Sequence, residues 1–183
     1  MAMLGARIGA MARTFARHAL APALAPALAG GVLMLAACSP QAETAETAAP
    51  APIKPYLHAV SGLEVVPLTI TQNGRVHRFR VEVAESPQEQ WMGLRYRETM
   101  AADEGMIFPR FPARIATFTM QNTLIPLDMV FIGEDGVVGS ILENTTPLEP
   151  GPFVSEAPAE AVLELNGGTA ARLGIGPGAK VDW

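Results

Sequence analysis

The sequence predicts a mostly-β α+β domain, a compact β-sandwich or small barrel with one clear helix after the second strand. Three observations predict it. Short segments rich in β-branched and aromatic residues recur between turn signals. One such segment alternates strictly between apolar and charged residues. Only one stretch carries a full helix-start signature. Many short strands with a single good helix suit a sandwich or barrel better than a helical bundle.

Leu63–Ile70 and Val76–Ala84 are the first two strands, joined by the turn Gln72-Asn73-Gly74. In Phe79-Arg80-Val81-Glu82-Val83 the alternation predicts a half-buried strand with Arg80 and Glu82 on the wet face. Ser86-Pro87-Gln88-Glu89 is a capping box with proline at the first helical position, so a helix starts there and runs to about Tyr96. Gly105–Phe108, Ile115–Gln121, Met129–Ile132 and Val137–Leu142 are further strands, with Glu134-Asp135-Gly136 turning between the last two. The Pro-, Glu- and Thr-rich stretch 143–158 reads as a loop and Ala161–Leu165 as a strand. Thr169–Leu173 fits a single helical turn, and Gly176-Pro177-Gly178 makes a turn before a last short strand to Trp183.

The front of the chain has a different composition. Residues 1–38 contain Arg7, Arg13 and Arg17, no acidic residue, and an apolar stretch from Ala19 to Ala37. A basic segment followed by a short apolar one is the pattern of a secretory signal. Pro22 and Pro26 make the stretch a poor permanent membrane helix. The basic segment is long, and Met11 is an alternative start. Leu35-Ala36-Ala37-Cys38 resembles a lipobox, in which a thiol next to small residues accepts a diacylglyceryl group. Several acyl chains bury enough methylene groups for stable anchoring, so Cys38 is the expected lipidation site and the membrane the expected first partner. Ser39 after the cysteine resembles an outer-membrane destination, on the periplasmic side of the cell envelope. The alternative is ordinary signal-peptidase cleavage with Cys38 removed. Residues 39–61 are rich in Pro, Ala, Glu and Thr and read as a disordered tether, with His58 solvated. The folded unit is then 62–183.

Charge and chemistry narrow the function. Without the leader's three arginines the chain has 10 basic and 18 acidic residues, a balance of −8. Such a surface repels nucleic-acid phosphates, so no nucleic acid is expected as partner. Cys38 is the only cysteine, which leaves the domain without disulfide or thiol nucleophile. His77 is the single histidine in the predicted folded unit and reads as surface, too few for a histidine metal cluster. Met92, Met100, Met106, Met120 and Met129 lie in apolar contexts and read as core filler rather than a copper site. Neither a metal nor a cofactor is expected. Gly174-Ile175-Gly176-Pro177-Gly178-Ala179-Lys180 lacks the spacing of a phosphate loop.

Three blocks carry a resemblance. Residues 93–108 read GLRYRETMAADEGMIF, residues 118–131 FTMQNTLIPLDMVF, and residues 160–168 EAVLELNGG. Their order and spacing resemble the bacterial and archaeal family called domain of unknown function 192, on Gly93 to Arg97, Gly105 to Phe108, Phe118 to Asp128 and Leu163 to Gly167. The resemblance covers most of 76–183. It implies a compact, mostly-β fold, often exported or tethered, and assigns no biochemical activity. Thr119 stands where the family usually has an aromatic residue, Gln121 where it often has a basic one, and Arg95 where Met is usual. If those positions shape a ligand pocket, this pocket is altered.

The candidate ligand-binding residues are Arg97, Met120, Asn122, Thr123, Asp128 and Glu164. Asn122, Thr123 and Asp128 can bond a polar ligand above an apolar floor of Phe118, Met120 and Leu127, or bond their own backbone in a turn. Arg97 can hold a ligand carboxylate through two parallel hydrogen bonds, or pair internally with Asp128 or Glu164. No residue is assigned as catalytic. The expected function is binding of a small polar ligand or an envelope protein. The competing expectation is hydrolysis of envelope glycans by Asp128 and Glu164, which requires both carboxylates in one cleft.

Overall fold

The computed structural model of the chain describes residues 56–183. The leader, Cys38 and the tether as far as residue 55 lie outside the described residues. In chain order the elements are β1 (Tyr56–Leu57), β2 (Glu64–Gln72), β3 (Arg75–Val83), α1 (Pro87–Met92), β4 (Glu104–Arg114), β5 (Thr117–Phe118), β6 (Leu127–Ile132), β7 (Val138–Thr145), β8 (Phe153–Val154), β9 (Ala159–Asn166), α2 (Thr169–Leu173) and β10 (Lys180–Asp182). Among the described residues no helix is long and apolar enough to cross a membrane.

Eight strands form one mixed sheet in the order β1-β2-β3-β4-β9-β6-β7, with β10 beside β2. Only β3 and β4 run parallel, because α1 carries the chain over between them. β10 also touches the residue before β7 through a single bridge, Val137 to Lys180. The sheet is therefore neither a two-sheet sandwich nor a barrel closed by regular pairing. β5 and β8 make a separate small ribbon.

β9, β6 and the Gly105–Phe108 part of β4 are buried on both faces, which is why they read as nearly continuous apolar runs. On one face Ile107, Val130, Ile132, Leu163 and Leu165 pack with Leu68, Phe79 and residues of α2 and β10. On the other, Met106, Phe108, Leu127, Met129, Phe131 and Val162 pack beneath Leu94, Met120 and the ribbon. Gly105 is required by this density. A Cβ there would lie 2.7 Å from the carbonyl oxygen of Glu164.

Several expectations are corrected. The capping box forms: Ser86 Oγ accepts from Glu89 N at 3.2 Å and Glu89 returns a bond to Ser86 N at 2.7 Å. Yet α1 stops at Met92, because the next residues turn and Tyr96 takes φ +61°. Ile115–Gln121 contributes only two strand residues, while β4 is longer than expected and continues past Pro109 after a register shift. The stretch 143–158 holds the end of β7 and all of β8. Tyr56–Leu57, assigned to the tether, pairs with β2. Glu82 is not on a wet face. It is 3% exposed, covered by residues 58–63 and Arg97.

Candidate functional site

The largest cleft, about 1060 Å³, opens between residues 58–63, the start of α1 and the segment 93–104. Arg97 lines it and is held by Glu82 of β3 through two parallel hydrogen bonds of 2.9 and 3.1 Å. Paired guanidinium and carboxylate satisfy one another where burial would make either alone costly. Ser61 donates its hydroxyl to the same carboxylate, and His58 Nδ1 lies 3.5 Å from it. The rest of the charged lining has both signs, Arg95 against Glu89, Glu98 and Glu104, with Tyr96 exposed among them. The cleft thus joins a rigid charged pair to a mixed polar rim.

A smaller cleft of about 210 Å³ lies against the other side of α1. Its walls include Phe108, Phe118, Arg110, Thr119, Thr123 and Glu164. Glu164 is 4% exposed and makes no side-chain hydrogen bond among the described residues, and its burial pushes its carboxyl up to about 8.

The predicted residues therefore divide among five places. Arg97 belongs to the large cleft, but its partner is Glu82 and not Asp128 or Glu164. Thr123 and Glu164 line the small cleft. Asn122 sits between the two with φ +61°, accepts from Tyr96 N at 2.7 Å and donates to the Tyr96 hydroxyl at 3.0 Å. It braces the loop that carries Arg97. Met120 is fully buried, with its sulfur 3.3 Å from the Thr145 hydroxyl. Asp128 faces the opposite side of the sheet. Its Oδ1 accepts from Asn144 N at 2.7 Å and Gly168 N at 2.9 Å, and its Oδ2 from Ala170 N at 2.7 Å. It ties β7 and the start of α2 to β6.

Register excludes the two-carboxylate hydrolase. Asp128 stands opposite Leu165, and Met129 opposite Glu164. Directly opposed residues share a face, so Asp128 and Glu164 point to opposite faces of the sheet. They cannot act on one glycosidic bond. Of the three departures from the family pattern, Thr119 and Arg95 line the small cleft, which is where altered residues would alter a pocket.

Three residues of these clefts, and the Glu82 that holds Arg97, carried no functional signal in the sequence. His58 and Ser61 lay in what read as tether. The signal there was the apolar pair Tyr56-Leu57, unusual in a polar linker. Glu82 alternated correctly but was assigned a wet face that the preceding segment covers. Arg110 had no local signal. Its Nε is buried without a partner, and its guanidinium lies 5.0 Å from the Phe118 ring centre.

The comparisons agree with this fold. A family model, DUF192, described as an uncharacterized ACR, matches residues 68–183. A crystal structure of a protein of unknown function from Novosphingobium aromaticivorans DSM 12444 is 49% identical, with TM-score 0.70, over 72% of this chain and 94% of that one. A Sinorhizobium meliloti 1021 protein, described provisionally as a transcription regulator, is 41% identical, with TM-score 0.62, over 63% of this chain and 91% of that one. No curated protein matches the chain. With the family model spanning most of the chain and matching the same blocks that anchor its core and its clefts, the chain belongs to the domain of unknown function 192 family.

Proposed function

We propose that the chain is an exported, lipid-anchored envelope domain that binds a small polar ligand in its large cleft. The observation that carries the reading is Arg97, which lines the large cleft and is fixed from behind by its ion pair with the buried Glu82. A cleft with a few fixed polar groups and partly apolar walls is the ordinary form of a small-molecule site. The rim holds both charge signs, which fits a neutral polar or zwitterionic ligand better than a polyanion. The leader and the Leu35–Cys38 sequence support export and anchoring through Cys38. The acidic balance gives no support for carrying over the regulator description of the Sinorhizobium protein.

Two experiments test the two halves. Labelled palmitate should enter the wild-type chain in cells and not Cys38→Ala, and only the wild type should stay with the membrane fraction. Labelling that persists in Cys38→Ala sinks the anchor. For binding, a thermal-shift screen of the intact protein against small polar metabolites should find a stabilising ligand. Arg95→Ala and Tyr96→Ala, both on the rim, should abolish the shift. A hit that both variants keep, or an empty screen followed by an empty envelope pull-down, removes the binding reading.

A further inference from the structure

We propose that the small cleft beside α1 is a second binding site, and that it takes a small monocarboxylate with an apolar body. Two polar residues there hold side-chain groups that make no hydrogen bond among the described residues. Glu164 is 4% exposed, lines the cleft and makes no side-chain hydrogen bond among the described residues. Arg110 Nε is buried and unbonded in the same cleft. Native proteins rarely leave such groups unmatched, and both residues line this one cavity, which points to a ligand that satisfies them.

Charge chooses the ligand class. The charged residues lining the cleft are Arg95, Arg110 and Glu164. Arg95 already donates to the carbonyls of Trp91 at 2.8 Å and Gln121 at 2.6 Å. Glu164 keeps its proton at neutral pH because burial disfavours its anion, so it presents an O–H donor. The lining therefore carries two cations and no anion. An ammonium ligand would face both guanidiniums, and a neutral amide would leave their charge unmatched. A carboxylate can accept from the terminal N–H groups of the Arg110 guanidinium, the Glu164 hydroxyl and the hydroxyl of Thr123. Phe108 and Phe118, packed edge to face at 5.2 Å, supply an apolar wall for the rest of the molecule. The cleft, about 210 Å³, has room for one small body of that kind.

The test uses the full-length chain with benzoate as probe, and benzamide and benzylamine as neutral and cationic isosteres, followed by NMR of the Phe118 ring. Benzoate should bind saturably at pH 7, benzamide at least about tenfold more weakly, and benzylamine not at all. Arg110→Gln should weaken benzoate by about tenfold or more. Affinity should fall above pH 8, where Glu164 ionises and repels the ligand. Glu164→Gln keeps an N–H donor, so it should retain benzoate at pH 7 within about threefold and lose the fall at high pH. Benzylamine binding as well as benzoate, benzoate binding unmoved by Arg110→Gln, or no saturation by about 10 mM would each overturn the proposal.

Discussion

Asp128 and Glu164 occupy adjacent rungs of the β6–β9 ladder, yet they live in opposite chemical worlds. Asp128 is fully buried, and three backbone N–H groups from two other segments converge on its oxygens. Glu164 is almost as buried and lines the small cleft without a side-chain hydrogen bond among the described residues. One carboxylate completes the fold, and the other strains against it. The contrast teaches that in a sheet buried on both faces a single step in register decides whether an acid is scaffold or site.

The largest expected effect breaks the scaffold half. Asp128→Ala leaves three backbone donors without their acceptor and should cost roughly 3–5 kcal/mol in urea unfolding. A loss under about 1 kcal/mol would mean that α2 and β7 do not depend on it.

The site half is sharpened by pH. The folded-state value of Glu164, about 8, lies above its ordinary 4.5, so the folded protein holds a proton that the unfolded chain releases. Stability must then fall as pH rises from about 4.5 to about 8 and level off above. The fall attributable to this group should be roughly 3–5 kcal/mol. Glu164→Gln should flatten it and be the more stable protein at pH 8. Equal slopes in the two proteins would remove Glu164 as the cause.

Smaller effects probe the ground between them. Gly105→Ala forces a methyl against the β9 backbone behind Glu164 and should cost about 2 kcal/mol, read as a lower melting temperature. Ser86→Ala removes the α1 cap beside both clefts and should cost about 1 kcal/mol. Because the Ser86 and Asp128 side chains share no hydrogen-bond partner, the two losses in Ser86→Ala and Asp128→Ala should add within about 0.5 kcal/mol.

How much of this was legible depends on range. Ser86-Pro87-Gln88-Glu89 is a local signal, and the helix starts where it says. The alternation of β3 and the apolar runs of β6 and β9 are local too, and those strands form. The family blocks also have a legible physical reason in part. A Cβ at Gly105 would strike the β9 backbone, and one at Gly167 would lie 2.5 Å from Asn144 Oδ1 and 2.9 Å from Pro126 Cβ. What local signals do not carry is register. Arg97 meets Glu82 and not the later acids because β3 and β4 pair in parallel and bring the 97–101 loop over β3. Asp128 and Glu164 both looked available as polar residues in apolar strands, and only the ladder assigns them to faces. The covering of Glu82 by His58 and Ser61 is a contact from a segment whose composition resembles linker.

The most direct test of the contrast is the titration of the Glu164 side-chain carboxyl by carbon-13 NMR in the intact, ligand-free protein, assigned with Glu164→Gln. A midpoint near 8 is the result of burial without a partner. A midpoint near the ordinary 4.5 would show that the carboxyl is solvated or bonded, and the division between scaffold and site would fall.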